Sequence, residues 1–235
     1  MTDTIIPLES TKKGPIRVFF ERTSRVLLDP ARFYREDFPR LSVAESLTFG
    51  LSSAWIASLL SFFWSTMNSF FLVRVFERWV QRMLATEETF SLVGTSGDSF
   101  LWTAGALLLA PFLLLMRTFL SSIMLFVFAR LLVSEEQRGP EEVNYNTALK
   151  IQAVSLNAHW FSIVPFFGGI LALIVGLILT VTGVRERFGA STRRAVAVVF
   201  APYALLFLAV LLLFCLVALA MFQLPLHEMF DLDEF

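Results

Sequence analysis

The chain has 235 residues, of which 56% are hydrophobic and only 17% charged, and its formal net charge is −1. Charge well below the quarter typical of soluble domains, with apolar residues gathered into long runs, excludes an ordinary soluble fold and implies an integral membrane protein. The near-neutral balance hides a segregation that offers nothing to a nucleic acid: Arg185, Arg187, Arg193 and Arg194 crowd one stretch, while Glu228, Asp231, Asp233 and Glu234 fill the tail.

Residues 1–15 are polar, carry Pro7, Gly14 and Pro15, and read as a disordered lead. They contain no signal peptide, because the first apolar run begins only near Leu47; that run is expected to serve as an uncleaved signal. From Ile16, the residues Ile16, Phe19, Phe20, Val26 and Leu27 recur at helical spacing, with Arg17, Glu21, Arg22 and Arg25 on the other side. Such a helix suits an anionic membrane surface, and equally a place on the protein's own cytosolic face. Asp29 before Pro30 predicts a capped second helix through Phe33, Tyr34 and Phe38, which Pro39 ends.

Ser42 and Glu45 form a capping box directly before an apolar run, predicting a first span over about 46–72. Gly50, Ala54 and Ser58 make one small stripe in it, and Ala57, Ser61 and Ser65 another, the kind of surface through which membrane helices approach closely. Val73, Phe76, Val80 and Met83 then alternate with charged residues around Trp79, which describes an interfacial helix, and 86–98 reads as a loop.

Residues 100–133 are too long for one ordinary span, at about 50 Å of helix against a core near 30 Å. Pro111 and Arg117 are the only interruptions. A single helix would leave Arg117 in the bilayer at about 2.5 kcal/mol or more, and would move the four-arginine loop to the outside. The positive-inside rule therefore favours two spans, 100–116 and 118–133, with the acidic loop of Glu135, Glu136, Glu141 and Glu142 outside. Residues 144–157 are mixed and read as a surface helix or an early turn of the next span. A fourth span is expected over 159–182, with its exit at Gly183, and a fifth over 194–222, started by Ser191 and Thr192, kinked at Pro202 and ended by Pro225. The expected fold is thus an all-α polytopic bundle of five spans with amphipathic flanks. A cytosolic segment (1–41) precedes the membrane domain (42–222), and an acidic tail (223–235) follows it.

Little in the chain carries chemistry. The deep apolar runs hold no carboxylate, and there is no nucleophile elbow, zinc-protease helix or phosphate loop. Cys215 is a single cysteine in an apolar run, which rules out an intramolecular disulfide or a cysteine metal cluster. His159 beside Trp160 reads as an interface anchor, and His227 as a solvated residue. No enzyme activity and no cofactor are expected. Two features remain. Gly168, Ala172, Gly176 and Thr180, four apart, form a helix-packing seam. Arg185, Arg187, Arg193 and Arg194 set topology and offer a contact for anionic lipid or an acidic partner.

At this loop the chain resembles the Yip1 domain family of membrane proteins. Gly183, Val184, Arg185 and Glu186, then Phe188 and Gly189, then Ser191, Arg194 and Ala195, look like that family's junction between its last two spans. Val164 and Pro165 with Gly168 and Gly169 are similar to its approach to the fourth span. Leu28 to Pro30 with Phe33 and Tyr34 resemble its N-terminal segment. The similarity covers roughly residues 28–220, and Phe188 stands where many members have histidine. It implies five spans, a cytosolic N-terminus and, for a compact bacterial-type member, residence in the inner membrane. Eukaryotic members act in vesicle trafficking and contact small prenylated GTPases and one another. The expected role is a non-enzymatic scaffold binding lipids, protein partners or further copies of itself, with a small-solute permease or channel as the alternative.

Overall fold

The computed structural model describes residues 14–68, 96–133, 142–165 and 167–230. The expected N-terminal lead up to residue 13, the interfacial helix around Trp79, the acidic residues 135, 136 and 141, and the last five residues lie outside that description. Four helices are long and apolar enough to cross a membrane, so the protein is an all-helical, multi-pass membrane protein.

Helix α1 (Pro15–Leu28) starts on a proline at its first position, where the missing N–H costs nothing. Its apolar side turns towards the bundle: Phe19 meets Phe49 edge-on at 5.6 Å, and Phe20 lies 6.0 Å from Trp160. Helix α2 (Pro30–Glu36) is capped as its sequence predicts, the Asp29 carboxylate accepting from the Arg32 N–H at 3.2 Å. Of the two places expected for the first helix, the structure shows it packed on the protein's own surface, with Ile16, Phe20 and Leu28 still exposed.

Helix α3 (Val43–Asn68) opens on the capping box in full. The Ser42 N–H donates to Glu45 Oε2 at 2.8 Å, and the Glu45 N–H donates to Ser42 Oγ at 3.1 Å. The division expected next is corrected: residues 96–132 form one continuous helix, α4 (Ser96–Leu132), passing through both Pro111 and Arg117. The separate spans 100–116 and 118–133 do not exist, and the end of the loop expected over 86–98 is already helical from Ser96.

A second correction explains the first. Residues 145–163 are neither a surface helix nor part of a long span. They form helix α5 (Tyr145–Ser155), capped by Asn144 through the Thr147 N–H at 2.7 Å, followed directly by a 3₁₀ helix (Leu156–Ile163). Thr147, Ala148, Leu149, Lys150, Ile151, Ala153 and Val154 are buried. This broken segment runs alongside α3 in the same direction, with Ala153 against Gly50, Trp160 bonded to Ser53, and the Ser162 carbonyl accepting from Ser61. It runs opposite to α6 (Gly168–Phe188), where Gly183 meets Ile151, Gly176 meets Ala158 and Gly168 meets Ser162. From Gly183 to Gly168 is about 22 Å of helix, most of a bilayer core.

The segment therefore carries the chain from one end of the bundle deep towards the other. Helices α3, α4, the 145–163 segment, α6 and α7 (Thr192–Phe230) alternate in direction. One end gathers α1, α2, the starts of α3, α5 and α7 and the ends of α4 and α6 around a common core. We call this the N-terminal face. The arginine stretch lies on it although 96–132 is undivided, because the broken segment supplies the reversal that the two-span division was meant to supply.

Two further boundaries move. Helix α6 begins at Gly168 rather than 159 and continues through Gly183 to Phe188, where Gly189 in the left-handed conformation (φ 66°) ends it. Helix α7 runs unbroken past Pro202 and Pro225 to Phe230, so Pro225 does not terminate it.

Candidate functional site

The N-terminal face is built around three aromatic residues of the N-terminal segment. Phe33, Tyr34 and Phe38 are fully buried against Ile151, Val184, Phe188 and Val198. The Tyr34 ring meets Phe38 at a tilt, 5.1 Å between centroids, and Phe33 edge-on at 5.8 Å. Two cations converge on the Phe38 ring: Lys150 Nζ lies 4.5 Å from its centroid and the Arg187 guanidinium 5.5 Å. Each such contact is worth about 0.5–2 kcal/mol, more as water is excluded. Arg187 Nη1 also donates to the Tyr34 carbonyl at 3.3 Å.

Outside this core, Glu186 ties the same elements together at the surface. Arg35 Nε and Nη2 donate to its two oxygens at 2.6 and 3.4 Å, and Arg185 Nη2 donates to Oε1 at 2.6 Å. One carboxylate thus joins α2 to the end of α6. An exposed pair of this kind contributes on the order of 1 kcal/mol, so the buried aromatics dominate the docking.

The four arginines singled out by sequence do not form one patch. Arg187 is buried at 4% exposure and belongs to the core of the face. Arg185 is half-buried and engaged with Glu186. Arg193 is exposed and Arg194 half-buried in the first turn of α7. The exposed arginines of this face are Arg193 and Arg40, with Arg194 half-buried, while exposed Arg32 and Arg35 are engaged with Glu36 and Glu186.

The seam has a definite partner. A Cβ on Gly168 would come within 2.6 Å of the Ser162 carbonyl, and one on Gly176 within 3.5 Å of the Ala158 methyl. Thr180 is buried, its hydroxyl returned to the Gly176 carbonyl at 2.8 Å, and Ala172 is half-buried on the same helix. The seam extends to Gly183, where a Cβ would meet Ile151 at 2.8 Å and Tyr34 at 2.9 Å. The small stripe of α3 grips the other side, most tightly at Gly50, where a Cβ would collide with the Ala153 carbonyl. Two small-residue surfaces therefore clamp the broken segment between them.

Inside the clamp the polar atoms are mostly satisfied. Trp160 Nε1 donates to Ser53 Oγ at 2.6 Å, so this indole serves the bundle rather than the headgroups. Asn157 donates to the Val154 carbonyl at 2.8 Å, while its Oδ1 is buried without a partner. Sequence reasoning placed Tyr34 and Phe38 on the second helix and Glu186 in the family-like junction, but gave no role in a site to them, to Lys150 or to Asn157. The Phe33–Tyr34 pair also carried a signal, as part of the family-like N-terminal segment. Comparison with protein-family models, with curated proteins and with solved structures found no match to this chain.

Proposed function

We propose that this protein is a non-enzymatic membrane scaffold, organised like the Yip1 domain proteins its loop resembles, which binds anionic lipid or an acidic partner on its N-terminal face. The observation that carries this reading is the construction of that face: a filled aromatic core locks α1 and α2 onto the ends of α3, α5 and α6, so the exposed arginines stand on a fixed platform. Two shallow surface grooves of about 280 Å³ border α1, one against α2 and one against α3. In this reading the N-terminal face is cytosolic, as the positive-inside rule asks of a surface rich in arginine, and the membrane is the inner membrane of a bacterium.

The test uses the full chain in nanodiscs with and without anionic phospholipid, comparing the wild type with an Arg193→Glu, Arg194→Glu double variant. At about 1 kcal/mol per arginine, reversal is expected to weaken anionic-lipid retention by roughly thirtyfold or more. Retention unchanged in a variant of wild-type stability overturns the assignment of this face.

A second reading, a small-solute permease, draws support from the broken segment. Non-α backbone at membrane depth occurs where it is buried in protein or lines a pathway, and discontinuous helices between spans form the binding sites of many transporters. The unpartnered Asn157 carbonyl would be the polar contact. Flux into proteoliposomes that is lost in Asn157→Leu supports this reading, and absence of flux across a broad solute panel removes it.

A further inference from the structure

Helix α4 has two sharply different faces. Leu114, Thr118, Ser122, Leu125 and Ala129 are buried, and the hydroxyls among them are returned to their own helix, Thr118 to Leu114 at 2.7 Å and Ser122 to Thr118 at 2.5 Å. Leu113, Leu120 and Met124 are exposed at helical spacing, and in the middle of that stripe stands Arg117, also exposed. On α4 its neighbours are apolar, Phe112, Met116 and Phe119 being exposed as well, while His159 of the 145–163 segment lies within electrostatic reach of its charge. No ion pair or hydrogen bond engages its guanidinium among the described residues.

A permanently charged guanidinium facing hydrocarbon is among the costliest arrangements a membrane helix can hold, and it calls for a counter-charge. Three sources are available. The first is a lipid phosphate reached by extending the side chain. The described apolar part of α4 runs from Leu107 to Leu132, so its ends lie about 15 and 22 Å along the axis from Arg117, beyond an arginine's length. The second is another copy of this chain, yet its membrane helices offer no carboxylate between their ends: 46–68, 99–132, 145–163, 168–185 and 192–219 contain neither Asp nor Glu. Apart from Glu77, Glu87 and Glu88, which lie outside the described residues, the remaining source is a carboxylate carried at mid-bilayer by a different membrane protein.

We propose that the exposed stripe Leu113, Arg117, Leu120 and Met124 of α4 is a docking surface for a transmembrane helix of another protein, and that Arg117 pairs with an intramembrane Asp or Glu of that helix. The 4-3-4 spacing of the stripe suits a helix seam, with apolar side chains supplying packing on either side of the charge. The pair gains its strength from the low dielectric around it and fixes register, since each charge is costly alone. The surface lies on the flank of the bundle and is separate from the N-terminal face.

A photo-crosslinking residue at Leu120 or Leu113 of the full chain, in native membranes, tests this. The expected product is a crosslink to a transmembrane segment that carries an acidic residue. Its yield falls at least about tenfold in Arg117→Gln and returns when Arg117→Glu is combined with an acid-to-Arg exchange in the partner. The Arg117→Gln chain also serves as its own folding control, because removal of an exposed charge leaves the buried face of α4 intact and the unfolding temperature should not fall. Crosslinks to lipid alone, to a second copy of this chain or to its own residues 69–95 overturn the proposal, as does a partner crosslink indifferent to Arg117.

Discussion

Tyr34 places a hydroxyl where nothing among the described residues receives it. The ring is fully buried beneath Gly183, and the phenol oxygen has no hydrogen-bond partner. An unsatisfied buried polar group costs about 1–3 kcal/mol, so Tyr34→Phe is expected to raise the thermal unfolding midpoint in detergent by the equivalent of about 1 kcal/mol. Burial also pushes the Tyr34 hydroxyl well above its ordinary pKa. With the folded value above the unfolded one, stability is complete below the ordinary tyrosine value near 10 and declines as the pH rises past it. The Phe variant should lack that share of the alkaline loss. A variant that melts lower, with the same alkaline profile, would show the hydroxyl to be bonded after all. At this scale the sequence was only partly legible. The capping pairs Asp29 with Arg32 and Ser42 with Glu45 could be read from local spacing, because a cap is made within four residues. Arg187 and Arg193 could not be told apart, because burial of the first depends on Phe38, a residue 149 positions away.

Among the elements, the broken segment is the one whose reading failed, and the reason is physical. Hydropathy identifies a span by its exposure to lipid, but 145–163 is shielded by α3, α4 and α6 and can keep Lys150, Gln152 and Asn157. Without it, the only way to keep the arginine stretch beside the N-terminus was to cut α4 at Arg117. Gly50, Gly168, Gly176 and Gly183 of the small stripes lie against the broken segment, a neighbour that their spacing alone does not name. Their energetic weight can be measured. Gly50→Ala forces a methyl into the Ala153 carbonyl and Gly183→Ala one into Ile151 and Tyr34; each is expected to destabilise by about 1–3 kcal/mol or to prevent assembly. Gly169→Ala meets no atom within 4 Å and should be neutral or stabilising by up to about 1 kcal/mol. Equal effects at all three positions would mean that 145–163 does not lie where it is described here.

For the whole molecule, the alternation of five elements has a direct consequence for sidedness. Ser24 on α1 and Ser191 before α7 are both exposed on the N-terminal face, and Phe63 near the end of α3 points to the opposite end. In a Cys215→Ala background, cysteines at 24 and 191 should react with an impermeant reagent from the same side of sealed vesicles. Labelling of the two from opposite sides would show that the chain crosses an odd number of times between them. That outcome would remove the broken segment from the membrane.

The lengths of the helices carry a last implication. The apolar part of α6, 21 residues, comes to about 32 Å and matches an ordinary bilayer core. Those of α4 and α7, 26 and 28 residues, come to about 40 Å. One molecule thus presents two hydrophobic thicknesses to the same membrane. The longer pair must tilt or draw thicker lipid around itself, at a fraction of a kcal/mol for each ångström of mismatch. Bilayer thickness, set by acyl-chain length and sterol, therefore becomes a variable to which this fold responds, and α7, the least enclosed of the four helices, is where the lipid makes itself felt.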